Sequence, residues 1–145
     1  FTTVSMDTGV LDLGSGDKVR LIGAPGQDRF DFMWDILLEQ SKAVVILIDH
    51  SRTSRLYDLD KFVSAVQTRA FGRRFPMAIG VTHIDEAATR SLDIYRERLT
   101  QQPPSFASAL VPVFPVDARE ANDVRALVIS VGAMLEMEMR FAART

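Results

Sequence analysis

The chain has no cysteine. That excludes a disulfide, a thiol nucleophile and a zinc–thiolate site. It also fits a reducing compartment, so the expected location is cytoplasmic. The only histidines are His50 and His83, too few for a metal site without other ligands. Neither sign of charge dominates: the net charge is -2, which removes the electrostatic case for nucleic-acid binding. The tightest basic group, Arg69 with Arg73 and Arg74, reads as a solvated loop rather than a binding patch. No apolar run approaches the roughly 18 residues of a membrane span. The longest, Ala43 to Ile48, is strand-sized. There is no Gly-x-Ser-x-Gly element, no internal repeat and no linker.

What is present is ordinary. Hydrophobic residues make up 47% and charged residues 25% of 145 positions, enough for one domain, 1–145, with a real core. The chain opens at Phe1, without a signal peptide, and its first residues already read as structure. The expectation is that a further segment lies upstream.

Patterning predicts the elements. Val4 to Leu13 and Lys18 to Ile22 read as strands joined by a Gly14-Ser15-Gly16-Asp17 turn. Gly23 to Gln27 is a glycine-rich turn. Asp28 to Glu39 carries Phe30, Met33, Trp34, Leu37 and Leu38 at helical spacing. Ala43 to Ile48 and Pro76 to Val81 are apolar throughout, as strands covered on both faces are. Val111 to Val116 is a third such strand, interrupted by Pro112 and Pro115. Helices are expected over Asp58 to Arg69, within Asp85 to Thr100, and over Ala121 to Ala143. The last has Val124, Leu127, Val128, Val131 and Leu135 as its stripe. After one hairpin, helices and strands alternate. The expected fold is α/β, with helices on both faces of a mostly parallel sheet and one antiparallel hairpin.

Ligands of such sheets bind beyond the carboxyl ends of the strands. Four segments follow strand ends: Gly23-Ala24-Pro25-Gly26-Gln27, Asp49-His50-Ser51, Thr82-His83-Ile84-Asp85 and Asp117-Ala118-Arg119. Asp49, Asp58 and Asp60 could be paired carboxylates, but helix-start charge is the simpler account. Trp34, Phe30 and Met33 read as core or as a partner-facing surface. Met134, Met137 and Met139 read as core or as a soft interface.

These residues carry a resemblance. The chain resembles a Ras-like small GTPase entered partway through, of the bacterial MglA-like branch. Thr2-Thr3-Val4-Ser5-Met6-Asp7 resembles the end of the first switch, and Gly23 to Gln27 the Asp-x-x-Gly-Gln element opening the second. Thr82 to Asp85 resembles the Asn-Lys-x-Asp guanine motif, and Asp117 to Arg119 the Ser-Ala-Lys loop over the base. The resemblance implies GTP and GDP as ligands, magnesium as cofactor, slow GTP hydrolysis and a molecular-switch role. A roadblock-type regulatory protein is the implied partner.

Each residue has a plainer reading beside the implied one. Thr3, or Thr2 before it, would offer a hydroxyl to magnesium, or is simply a β-favouring strand start. Gly26 would let its backbone N–H approach the γ-phosphate, because no Cβ intervenes. Gln27 would orient the attacking water, or is a solvated helix-start residue. Asp85 would accept from guanine N1–H and the 2-amino group, a donor pair that adenine lacks. Its alternative is to cap the next helix. Ala118 N–H would meet guanine O6, or belongs to a plain turn.

The resemblance also breaks. No Gly-x-x-x-x-Gly-Lys-Ser/Thr phosphate loop is present. It and the first, central strand are expected upstream of Phe1, in about 40 residues of ordinary element lengths. The chain alone is therefore expected to bind nucleotide weakly or not at all. Loss of a central strand leaves two sheet edges unpaired, so a homodimer that exchanges elements is a candidate assembly. Gly23 stands in place of a magnesium-holding aspartate, Thr82 in place of asparagine and His83 in place of lysine. An imidazole at His83 could stack on the base instead. A pseudo-GTPase that only binds partners is the rival expectation.

Overall fold

Six residues without a charge before the last, Val44–Asp49, and six more, Met77–Thr82, set the architecture. The computed structural model describes residues 7–12, 18–23, 31–70, 76–86, 91–101, 111–117 and 119–144. The strands are β1 (Asp7–Asp12), β2 (Lys18–Gly23), β3 (Val44–Asp49), β4 (Met77–Thr82) and β5 (Val113–Pro115). The helices are α1 (Asp31–Gln40), α2 (Arg55–Ala70), α3 (Asp93–Thr100) and α4 (Ala121–Arg144). The fold is α/β, with a three-stranded parallel sheet, a separate two-stranded antiparallel sheet and four helices. Among the described residues no helix is long and apolar enough to cross a membrane.

Contacts divide the chain into two compact units, Phe1–Ser41 and Lys42–Thr145. In the first, β1 and β2 run antiparallel, with Asp7 opposite Gly23 and Asp12 opposite Lys18. The turn expected at 14–17 lies outside the described residues, as do residues 28–30 of the expected first helix. Ser41 Oγ donates to Leu37 O at 2.6 Å and closes the last turn of α1.

In the second unit the strand order is β3-β4-β5. Val44 pairs with Met77 and Asp49 with Thr82, while Ile79 pairs with Val113. Right-handed crossovers that step the same way across the sheet place α2 and α3 on one face. Accordingly, α2 packs on β3 and α3 beside α2. Leu59, Val63 and Val66 of α2, Ile46 and Ile48 of β3, and Tyr95 and Leu99 of α3 are buried. Arg98 of α3 grips Asp60 of α2 with two N–H groups, Nε to Oδ1 at 3.0 Å and Nη2 to Oδ2 at 2.5 Å. Arg96 Nη2 donates to Val113 O at 3.3 Å and ties α3 to β5. On the opposite face α4 packs on β4, where Ala78, Val116, Leu127 and Val131 form a cluster. Leu127, Val128 and Val131 of the expected stripe are buried.

Two boundaries differ from expectation for identifiable reasons. α2 starts at Arg55, ahead of Asp58, because Asp58 N already donates to Ser54 O at 2.8 Å and Ser54 Oγ to Asp58 Oδ2 at 3.2 Å. The helix expected within 85–100 is α3, and a 3-10 turn, Ile84–Glu86, stands ahead of it. β5 is reduced to three residues: Pro112 lacks an N–H and serves the ladder only through its carbonyl, which accepts from Ile79 N at 2.9 Å.

Gly80 sits where the α4 face is tightest. A Cβ there would lie 2.8 Å from Leu47 Cδ2 and 3.2 Å from both Leu127 Cδ2 and Val116 Cγ2. Leu47 is half exposed and can swing outward, but Leu127 and Val116 are buried. Gly80→Val is therefore expected to destabilise the protein by about 1–3 kcal/mol, and Gly80→Ala by clearly less. Urea unfolding midpoints of the two variants check the order.

Candidate functional site

The parallel register brings three strand ends to one edge. Asp49 and Thr82 are partners in the ladder, and Val116 N donates to Val81 O at 2.9 Å, which aligns the exit of β5 with them. Of the expected site residues, Thr82, His83, Asp85, Asp117 and Arg119 are described, and all five lie at or just beyond this edge. Thr3, Gly26, Gln27 and Ala118 lie outside the described residues. In the other unit, the pairing of Asp7 with Gly23 means that the chain enters β1 and leaves β2 at the same end of that hairpin.

Thr82, His83 and Asp49 hold one another at the edge. Thr82 Oγ1 donates to Ile48 O at 3.3 Å and lies 2.9 Å from His83 Nδ1. That imidazole nitrogen is also 3.4 Å from Asp49 Oδ1. Ser51 donates both its N–H, at 2.9 Å, and its hydroxyl, at 2.6 Å, to the same oxygen. The hydroxyl bond from Ser51 is the main cause holding Asp49 below its ordinary carboxylate value. Burial opposes it, and the Ser51 N–H, His83 and Arg52 add to it. His83 has φ 59, the left-handed region, and no other non-glycine residue described does.

Beyond β5, Asp117 and Arg119 close on each other. Asp117 Oδ1 accepts from Arg119 N at 3.0 Å and Nε at 2.9 Å, and Oδ2 accepts from Nη2 at 3.0 Å. These hydrogen bonds lower the Asp117 carboxyl, with a smaller contribution from His83. Asp117 N in turn donates to Asp123 Oδ2 at 3.0 Å, pinning the loop to the first turn of α4.

Asp85 is exposed and lies inside the 3-10 turn. α3 begins only at Asp93, whose N–H is met by Ser91 Oγ at 3.2 Å. Capping α3 is thus not the task of Asp85. His50 is 1% exposed, and its Nδ1 lies 2.5 Å from the hydroxyl of the buried Tyr95. It belongs to the core beneath the site. Burial raises the Tyr95 phenol above its ordinary value. Among the described residues no group of three or more His, Asp or Glu side chains is arranged to hold a metal ion.

Sequence reasoning missed Asp49, Ser51 and Asp123 as site residues. The signal for Asp49 was its place at a strand end, but its partner is set by the pairing of β3 with β4. No protein-family model and no curated protein matches the chain.

A carboxylate held below its ordinary value stabilises the fold above that value, and the contribution is lost as pH falls through the depressed one. Removing the Ser51 hydroxyl moves Asp49 back toward the ordinary value. Ser51→Ala should therefore unfold at lower urea than wild type near pH 6, and the gap should close as pH falls below about 4. Urea midpoints across that range are the check.

Proposed function

We propose that the chain has a Ras-like, MglA-like GTPase fold and acts as a guanine-nucleotide-dependent switch that binds GTP and GDP and hydrolyses GTP slowly. The observation that carries this reading is the shared strand edge. Thr82, His83, Asp85, Asp117 and Arg119 follow two adjacent parallel strands in register, where a base-recognising pair of loops would have to meet. The exposed carboxylate of Asp85, which does not cap α3, would accept from guanine N1–H and the 2-amino group. Ala118 would supply the amide for O6. Thr3, Gly26 and Gln27, the proposed switch residues, lie outside the described residues.

β2 and β3 are both edge strands among the described residues. For magnesium the described residues do not fit: Gly23, at the end of β2, has no side chain to offer. No hydrolytic step is derived through the ion. In the proposed switch Gln27 would orient water. A roadblock-type protein is the proposed regulator.

A non-catalytic protein-interaction module is the second reading. Gly23 favours it, as does the closed Asp117–Arg119 pair, which a ligand has to compete with.

The test is to purify the native-length protein without added nucleotide, denature it and chromatograph what is released. Stoichiometric GDP or GTP is the expected result. Asp85→Ala should weaken GDP binding by about 100-fold, the loss of two charge-assisted hydrogen bonds. A wild-type protein that comes out empty and takes up no GTP with magnesium overturns the switch and leaves the interaction module.

A further inference from the structure

The contact between Asp49 and His83 is used by nothing above. It is built by the sheet, because Asp49 ends β3 directly beside Thr82 of β4. It is also braced from behind. Two donors from Ser51 converge on Asp49 Oδ1, and that oxygen lies 3.4 Å from His83 Nδ1. Thr82 Oγ1, anchored on Ile48 O, holds the same nitrogen at 2.9 Å.

His83 has a reason to need holding. Its φ of 59 is a conformation that a side chain with a Cβ adopts at a cost, and such residues persist only where their surroundings over-determine them. Thr82 and Asp49 are those surroundings. The imidazole is fixed along one edge, yet its side chain remains 49% exposed. It leads directly into the turn that carries Asp85. A planar ring, fixed at one edge and half exposed, two residues ahead of the carboxylate that the guanine reading assigns to the base, is a platform for stacking.

We propose that Asp49 is a positioning residue for nucleobase recognition: it holds the His83 ring at the sheet edge so that the ring covers the purine that Asp85 recognises. This rests on the guanine reading above. Asp49 itself does not touch the nucleotide; it acts through His83, with Ser51 fixing its carboxylate.

The experiment is calorimetric titration of the full-length protein with GDP, in wild type, Asp49→Asn, His83→Ala and the double variant. Base–aromatic stacking predicts that His83→Ala weakens GDP binding by about tenfold. Asp49→Asn should weaken it several-fold alone and should add nothing once His83 is gone. Affinity for inorganic pyrophosphate, which has no base, should not change in Asp49→Asn. Ser51→Ala frees the carboxylate without removing it, so it should act in the same direction by a smaller factor. It replaces Asp49→Asn if that variant does not fold. Independent, multiplicative effects of the two substitutions, or an equal loss of pyrophosphate affinity, overturn the positioning role and leave the guanine reading standing. A wild-type protein that binds no GDP overturns both.

Discussion

Everything in the larger unit depends on the register of β4 between its neighbours. Met77 to Val81 are buried without exception, so both faces of this strand are committed. Ile79 and Val81 share a face with Ile46 and Ile48, while Ala78 and Gly80 lie with Val45 and Leu47. A slip of one residue would exchange the two sets. It would put Ile79 or Val81 where Leu127 and Val116 already crowd the space above Gly80, and α4 could not approach. The packing that fixes register also sets Asp49 beside Thr82. The edge chemistry is thus a by-product of core volume, and any disturbance of the core will be felt at the strand ends.

The edge itself is exposed, and its electrostatics differ from those of a buried site. Water screens the ion pairs there, so they contribute more to orientation than to stability. That orientation is bought with local bonds: Ser51 on Asp49, Arg119 on Asp117, Asp123 on the Asp117 amide. Side chains placed in this way lose little further entropy when a contact forms on them. At Asp117 the same logic is less favourable. Its two oxygens are engaged by Arg119, and any ligand there must exchange one set of hydrogen bonds for another.

Period and run length made the larger elements legible. The all-apolar runs of β3 and β4, and the stripe of Leu127, Val128 and Val131, announce themselves because burial demands them. The strand-end positions of Thr82, His83, Asp85, Asp117 and Arg119 were legible for the same reason, since they follow from where the strands stop. The partners were not. Asp49 meets His83, and Arg98 of α3 meets Asp60 of α2, and both pairings join residues far apart in the chain. The left-handed backbone of His83 was illegible too, because nothing in Thr-His-Ile-Asp requires it. The turn at Ile84–Glu86 escaped because Asp85 looks as suitable for a helix start as Asp93 does.

One mismatch between composition and position remains, and it bears on the site. β3 has the composition of an inner strand, yet it lies at the sheet edge among the described residues. Val44 N donates to Pro76 O and His50 N to Thr82 O. Even-numbered residues therefore face β4, and the backbone groups of Val45, Leu47 and Asp49 face the other way. Leu47 is 54% exposed while Ile46 and Ile48, on the other face, are buried. No proline, and no charge before Asp49, guards this edge, as natural edges usually are guarded. The backbone of Asp49 thus lies on the open side of β3, while its carboxylate meets the His83 ring beyond β4. The unguarded edge of the sheet and the strand-end chemistry share this one residue.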